Sequence, residues 1–179
     1  MGKFLMNYFD EIKRSMKFIS RSKKTLFLGQ SVSVPGNLIF KTLEGVSEQK
    51  KLELPVFEET QLGLSIGLSL QGYIPVSCYP RFDFFILSFN QLVNHLDKMN
   101  KISSNEFKPF VLVRVMVGAK KPIDAGLQHT QDYSNEIKSM LKYINVVKLK
   151  NQNNIFSEYK KAFIKKKSTV FVEYSEKFY

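Results

Sequence analysis

The sequence predicts a three-layer α/β domain with a mostly parallel sheet of about six strands. Short apolar runs alternate with amphipathic segments along the whole chain, which is the order expected when strands and crossover helices take turns. The run from Pro109 to Val115 is almost continuously apolar, as in parallel strands that helices cover on both faces. No linker, repeat or low-complexity segment interrupts the pattern, so we expect residues 1–179 to form a single domain.

The individual elements follow from hydrophobic spacing and from the positions of glycine and proline. Helices are expected at residues 5–20, 38–45, 58–71, 85–99, 131–142 and 152–166, and strands at residues 25–29, 52–55, 73–79, 109–115, 146–149 and 169–173. Segment 58–71 is ambiguous, because leucine and isoleucine alternate with glycine and serine as in a strand. Acidic residues at its start and Gly72 just past its end are typical of a helix, and we predict a helix.

The composition is strongly basic. Lysine and arginine outnumber aspartate and glutamate by 27 to 16, which gives a formal net charge of +11. Such a surface suits a nucleic acid, an anionic membrane or an acidic protein partner. The sequence contains no RNP-type aromatic motif and no zinc-finger spacing, which disfavours nucleic-acid binding without excluding it.

The cysteine content and the lengths of the apolar stretches indicate the cellular compartment in which the protein is expected. Cys78 is the single cysteine, so no intrachain disulfide can form, and its apolar neighbours favour a buried strand position. Without carboxylate help, Cys78, His95 and His129 do not supply a metal site, and we expect no metal ligands in this chain. No signal-peptide core follows Met1, and no stretch approaches the ~20 apolar residues of a membrane span. We therefore expect a cytoplasmic protein.

The predicted sheet places several polar and aromatic residues at one edge. Open parallel sheets bind ligands at the carboxyl ends of their strands. The segments that follow the predicted strands there are Gln30-Ser31, Phe57-Glu58, Pro80 to Phe84 and the loop that ends at His129. A carboxylate, several aromatic rings and a histidine are therefore expected to converge in a site for an organic ligand. The sequence contains no phosphate-binding glycine loop, no nucleophile elbow and no zinc-protease motif.

An ordered series of residues runs along nearly the whole chain. Its members are Pro55 to Glu58, Gly63, Gly67, Gly72, Pro75, Tyr79 to Phe84, Asn90 to Asn94, Arg114 to Gly118, Gln128 to Gln131, Val170 to Glu173 and the pair Phe178-Tyr179. The series resembles the pyrimidine-binding domain of transketolase-like thiamine-diphosphate enzymes. Within them it is similar to the β-subunit of the pyruvate and branched-chain 2-oxoacid dehydrogenases, without its C-terminal domain. The resemblance implies the thiamine-diphosphate-binding fold.

The resemblance implies that Glu58 is both catalytic and cofactor-binding. A glutamate at this place in the family hydrogen-bonds N1′ of the aminopyrimidine ring and favours the imino form of its 4′-amino group, which can then remove the proton from C2 of the thiazolium ring. Taken by itself, Glu58 could equally be an acid that stabilises a helix N-terminus, and Glu59 reads as a plain first-turn acid.

The resemblance also places aromatic and histidine residues at the cofactor. Phe84 falls where the family stacks an aromatic ring on the pyrimidine, and Tyr79 and Phe82 are weaker cofactor-binding predictions. His129 falls where a histidine faces the substrate-derived intermediate, so we predict a catalytic role in proton relay or in binding a substrate carboxylate. The alternatives are core packing for Phe82 and Phe84 and a structural loop position for His129.

The cofactors implied are thiamine diphosphate and Mg²⁺. The family holds the diphosphate through Mg²⁺ with a Gly-Asp-Gly motif, which this sequence lacks. The resemblance therefore implies a separate diphosphate-binding subunit that carries this motif and holds most of the Mg²⁺ ligands, in an α2β2 heterotetramer. The site would lie at the interface, and the groove at Gly63 and Gly67 is expected to contact the partner or a second copy.

Three features depart from the dehydrogenase pattern. Gln30-Ser31 stands in place of an acidic pair, Asn90 stands in place of an aspartate, and the sequence stops at Tyr179, where the family's C-terminal domain would begin. We therefore expect the pyrimidine-binding subunit of a heteromeric enzyme that acts on a 2-oxoacid or ketol donor, by decarboxylation or by two-carbon or acyl transfer. The alternatives are a non-catalytic regulatory or interaction subunit on the same fold and a basic nucleic-acid-binding domain.

Overall fold

Six parallel strands form one sheet in a computed structural model that describes residues 6–178. The strands are β1 (Thr25–Gly29), β2 (Lys51–Glu53), β3 (Ile74–Tyr79), β4 (Leu112–Val117), β5 (Asn145–Lys148) and β6 (Thr169–Tyr174). Their order across the sheet is β2-β1-β3-β4-β6-β5, and every neighbouring pair is parallel. The predicted three-layer α/β fold with a parallel sheet is confirmed, and the strand bounds shift by at most a few residues.

Seven α-helices connect the strands in the described part of the chain. They are α1 (Tyr8–Ser20), α2 (Leu38–Thr42), α3 (Glu58–Leu70), α4 (Phe82–Phe85), α5 (Met99–Ile102), α6 (Ser134–Met140) and α7 (Gln152–Ile164). The ambiguous segment 58–71 is a helix, as predicted. The first predicted helix starts at residue 5, which lies outside the described residues.

The prediction of one continuous α-helix over residues 85–99 is wrong, because the segment is helical but divided into short pieces. The chain there forms the short helix α4, a 3-10 turn at Ile86–Ser88, a π-helical segment at Gln91–Leu96 and then α5. The buried hydroxyl of Ser88 donates a 2.6 Å hydrogen bond to the carbonyl of Glu58. This contact with α3 fixes the 3-10 turn, and spacing along the sequence does not reveal it.

Helices cover both faces of the sheet. Successive residues of β4 point to opposite faces. Leu112 packs with α1 and α7, whereas Val113 packs with α3 and the irregularly wound residues 86–96. The first core contains Ile12 and Tyr159, and the second contains Leu62. This arrangement explains why β4 is apolar on both sides. No helix within residues 6–178 is long and apolar enough to cross a membrane.

A buried ion pair links the neighbouring strands β4 and β6 to helices α2 and α7. Arg114 on β4 donates from Nε and Nη2 to the two carboxylate oxygens of Glu173 on β6, at 2.8 and 2.9 Å. Tyr159 of α7 donates to the same carboxylate at 2.5 Å, and Arg114 also reaches Thr42 at 3.0 Å. Although burial disfavours the charge, Glu173 holds the pKa of Arg114 well above its ordinary value. Arg114 therefore stays charged inside the core.

The crossovers diverge between β1 and β3. The chain leaves β1 towards β2 through α2 on one face, and leaves β3 towards β4 through α4 on the other face. A crevice forms where neighbouring parallel strands send their connections to opposite faces, and it is the usual ligand site of such sheets. The fold therefore places a site at the carboxyl ends of β1 and β3.

Candidate functional site

A cavity of about 230 Å³ opens at the carboxyl ends of β1 and β3. Its lining residues are Gln30, Gly36, Asn37, Glu58, Tyr79, Pro80, Arg81, Phe84 and His129. The structure thus brings four residues from the sequence-derived site together, namely Glu58, Tyr79, Phe84 and His129. They come from three different connections of the sheet, as expected when strand ends converge.

Glu58 is the first residue of α3 and is only 4% exposed. Its backbone carbonyl is held by the Ser88 hydroxyl at 2.6 Å and by the Tyr79 hydroxyl at 3.4 Å. Its side-chain Oε1 accepts a long hydrogen bond of 3.3 Å from Nε2 of Gln30. No hydrogen bond from the described residues reaches Oε2. The carboxylate is thus fixed in place at the cavity and keeps one oxygen for a ligand.

Gln61 anchors the same helix to the strand ends. Its side chain is buried, and Nε2 donates to the carbonyl of Cys78 at 3.1 Å and to Ser77 Oγ at 3.0 Å. Gly29, which ends β1, has a φ of +141°, and a Cβ there would lie 2.2 Å from the Cys78 carbonyl oxygen. Glycine is therefore required for this close approach of the two strand ends.

Phe84 and His129 stand edge to face. Their ring centroids are 5.4 Å apart at an interplanar angle of 84°, and Phe84 is 41% exposed. The backbone N–H of Gly118 donates to the His129 carbonyl at 3.0 Å, and a Cβ on Gly118 would lie only 2.0 Å from that oxygen. The loop that carries His129 is therefore closed by a contact that only glycine permits.

Glu53, at the end of β2, organises the loop that carries Gln30 and Asn37. Its carboxylate accepts backbone N–H groups from Ser31 at 2.5 Å and from Val32 and Ser33 at 2.8 Å each. Burial raises the pKa of Glu53, but these hydrogen bonds outweigh burial and lower it below its ordinary value of 4.5. Sequence reasoning missed this residue, although an acid that closes a strand beside a serine-rich loop is a usable signal.

Tyr79 and Phe82 have different surroundings from those expected. Tyr79 lines the cavity but is 1% exposed, and burial raises the pKa of its hydroxyl, so it positions the backbone of Glu58 as a neutral donor. Phe82 is fully buried, with ring centroids 6.1 Å from Phe85 and 5.8 Å from Tyr133. The structure therefore places Phe82 in the core and not in the cavity.

Two cavity residues carry polar groups that sequence reasoning did not single out. Arg81 lies two residues after the end of β3, within the predicted edge segment Pro80 to Phe84, and Asn37 precedes α2. No periodicity or motif marks either residue. Several side chains next to the cavity residues in sequence are apolar and exposed, among them Phe57 at 63%, Leu87 at 62% and Leu127 at 82%.

Comparison with known proteins agrees with this geometry. The chain is 27% identical over 132 residues to the 2-oxoisovalerate dehydrogenase subunit β of Bacillus subtilis (strain 168). The aligned region covers 71% of this chain and 39% of that protein. It is 25% identical over 126 residues to the pyruvate dehydrogenase E1 component subunit β of Chaetosphaeridium globosum, covering 68% of this chain and 38% of that protein. The chain is similar to the β-subunits of 2-oxoacid dehydrogenases. The resemblance seen in the sequence is confirmed, and the chain spans about two fifths of the length of these relatives.

Solved structures show the same fold. A split-gene transketolase, described as an inactive β4 tetramer, matches with a TM-score of 0.71 and 13% identity, over 94% of this chain and 51% of that one. The thiamine-diphosphate-dependent 4-hydroxybenzoylformate decarboxylase of Rhodococcus jostii RHA1 matches with a TM-score of 0.63 and 12% identity, over 94% of this chain and 30% of that one. The chain therefore has the fold of transketolase-like thiamine-diphosphate enzymes. No protein-family model matches the sequence.

Proposed function

We propose that the chain is a single pyrimidine-binding domain and serves as one subunit of a heteromeric thiamine-diphosphate-dependent enzyme that acts on a 2-oxoacid or ketol donor. The observation that carries the proposal is the position of Glu58. Its carboxylate is buried at the cavity beside the half-exposed ring of Phe84, and Oε2 has no hydrogen-bond partner among the described residues. A cavity of this size with one carboxylate and one aromatic face fits the aminopyrimidine ring.

Each cavity residue then has a definite task. Thiamine diphosphate, when bound, supplies a carbon nucleophile that adds to the donor carbonyl and accepts the electron pair of the cleaved bond. Glu58 would hold a proton at the ring nitrogen N1′, and Gln30 would keep the carboxylate oriented through its 3.3 Å hydrogen bond. Phe84 would stack on the ring, which contributes ~0.5–1.5 kcal/mol beyond burial. His129, 5.4 Å from the Phe84 ring between centroids, would exchange a proton with the substrate.

A separate subunit would complete the site. The chain has no Gly-Asp-Gly motif, so the Mg²⁺ and the diphosphate would be held by a partner that has one, in an α2β2 assembly. The exposed apolar side chains of Phe57, Leu87 and Leu127 lie within three residues of a cavity residue in the sequence and suit burial against such a partner. A Cβ on Gly67 would meet no atom within 4 Å, which leaves the face of α3 open to a contact there. The description of the matched transketolase as split-gene and inactive as a β4 tetramer supports a two-chain enzyme.

Reconstitution with the partner tests the proposal. The chain should be co-expressed with the product of the neighbouring gene and assayed with thiamine diphosphate, Mg²⁺ and a panel of 2-oxoacids and ketoses. Glu58→Gln should lower kcat by about 10²–10⁴-fold, because it removes a proton-transfer group. The matched control is Glu59→Gln. Glu59 is the adjacent exposed acid and accepts side-chain hydrogen bonds from Asn90 and Gln91, so its loss should change kcat by less than about threefold.

Two outcomes would contradict the proposal. Normal turnover of the Glu58→Gln complex would remove the assigned role and favour a non-catalytic subunit on the same fold. No activity with any partner, together with a salt-sensitive shift of DNA or RNA by the isolated chain, would favour a basic nucleic-acid-binding domain instead.

A further inference from the structure

A second cavity adjoins the first beside the loop that follows β4. It has a volume of about 260 Å³ and shares Gly36, Asn37 and Arg81 with the cavity that contains Glu58. Its other lining residues are Leu38, Gly118, Ala119, Ile123, Ala125 and Ser175. Because three residues line both cavities, the two cavities lie side by side. We call this second cavity the side pocket.

Among the described residues, Arg81 is the one cationic side chain that lines the side pocket. Within residues 6–178 its guanidinium makes one hydrogen bond, from Nη1 to the adjacent Pro80 carbonyl at 2.8 Å. No carboxylate of the described residues lies within 4.0 Å of it. A guanidinium carries five N–H donors, so most of them have no partner among the described residues.

Ser175 provides a second, independent sign of a ligand. It follows β6, is 6% exposed and lines the side pocket, yet its hydroxyl has no hydrogen-bond partner among the described residues. Leaving such a buried group unpaired is costly, so a partner is expected for it. Asn37 uses Oδ1 to accept the Ile39 N–H at 2.8 Å, so its amide NH₂ remains able to donate. Arg81, Asn37 and Ser175 line the side pocket, and each keeps at least one donor that no described residue engages.

We propose that Arg81, Asn37 and Ser175 bind the carboxylate of a short organic acid and thereby select acids as substrates. A guanidinium fork matches the two oxygens of a carboxylate. One cation balances a single negative charge, whereas a phosphate dianion would need a second cation that the pocket lacks. Leu38, Ile123 and two alanines complete the lining and suit a short alkyl chain. The part of this inference that concerns substrate selection rests on the proposed function; the binding itself does not.

Binding to the full chain in solution tests the proposal without catalysis. Sodium butyrate is titrated into ¹⁵N-labelled protein at constant ionic strength, and the amide signals of Gly118, Ala119, Ala125 and Ser175 are followed. They should shift saturably with butyrate, and the neutral analogue butyramide should bind at least about tenfold more weakly, because it loses a charged hydrogen bond. Inorganic phosphate should bind more weakly than butyrate.

Variants assign the effect to the pocket. Arg81→Gln should weaken butyrate binding at least about tenfold, and Arg81→Lys should fall between Gln and wild type because it keeps the charge and loses the fork. Ser175→Ala should weaken binding by a smaller, severalfold factor. Arg21→Gln, which alters an exposed arginine at the end of α1, is the control and should bind like wild type. Thermal melting of each variant verifies that it is folded.

Several results would overturn the proposal. These are the absence of butyrate binding, equal binding of butyrate and butyramide, phosphate binding as tight as that of butyrate, or wild-type affinity in folded Arg81→Gln. A calorimetric titration of the reconstituted complex with thiamine diphosphate and Mg²⁺ separates the two ideas. Absence of cofactor binding with butyrate binding intact would contradict the proposed function alone, and the reverse would contradict the side-pocket assignment alone.

Discussion

Replacing Gly118 by alanine should displace His129 and destabilise the fold. A Cβ at residue 118 would lie 2.0 Å from the His129 carbonyl oxygen, whereas Cβ contacts in proteins stay above 3.0 Å, so the carbonyl must retreat by 3.0 − 2.0 = 1.0 Å. That movement stretches the 3.0 Å hydrogen bond from the Gly118 N–H to the same oxygen. Forcing a methyl group into a packed contact costs about 1–3 kcal/mol. We expect the free energy of unfolding to fall by that amount.

The same substitution should also reduce turnover in the reconstituted complex. A displacement of 1 Å in a catalytic group costs about 10²-fold in rate. Urea unfolding measures the stability loss, and the His129 ring signals report the displacement, because the Phe84 ring lies 5.4 Å away and shifts them. Gly67→Ala is the control for stability, because its Cβ would meet no atom within 4 Å. A Gly118→Ala protein with wild-type stability and unmoved His129 signals would refute this reasoning.

Two further predictions concern stability. Glu173→Gln should lower the free energy of unfolding by about 3–5 kcal/mol, because it leaves Arg114 charged and unpaired in the core. The control Glu176→Gln, on the exposed segment that follows, should change the free energy of unfolding little. Urea unfolding measures both variants, and equal losses would contradict the role of the buried pair. The folded-state pKa of Glu53 lies below 4.5, so its contribution to stability is present above about pH 4.5 and is lost as the pH falls through the folded pKa. Glu53→Gln should therefore make the free energy of unfolding fall less steeply at acid pH than in wild type or in the exposed control Glu106→Gln. An unchanged pH dependence in Glu53→Gln would show that the backbone N–H groups of Ser31 to Ser33 do not hold this carboxylate.

The sheet was predictable because its four inner strands are buried almost throughout. Segments such as 109–115 are apolar nearly throughout, and glycine or proline marks most of their ends, so local pattern and burial agree. Helix 58–71 was also predictable from its end signals, although its leucines alternate as in a strand. In contrast, the irregular winding of residues 86–96 depends on contacts such as that of Ser88 with the Glu58 carbonyl, which only the folded chain contains.

The site was predictable in part. Glu58, Phe84 and His129 were identified through the order of residues along the chain, and the structure brings all three to one cavity, while their roles stay predictions. Phe82 could not be separated from Phe84 by sequence, since both lie in one aromatic cluster and only the turn of α4 decides which ring is buried. Arg81 belongs to no pattern, because a single polar residue after a strand is ordinary until the neighbouring loops are placed around it.

The role of Glu58 in activating the cofactor is the central claim, and proton exchange at the reacting carbon tests it most directly. Thiamine diphosphate bound to the reconstituted complex is transferred to D₂O, and the loss of the thiazolium C2 proton is followed by quenched-flow NMR. The account predicts that Glu58→Gln slows this exchange by about 10²-fold or more, the size of a lost proton-transfer group, and that Glu59→Gln exchanges at the wild-type rate. Exchange at the wild-type rate in a folded, assembled Glu58→Gln complex would contradict it.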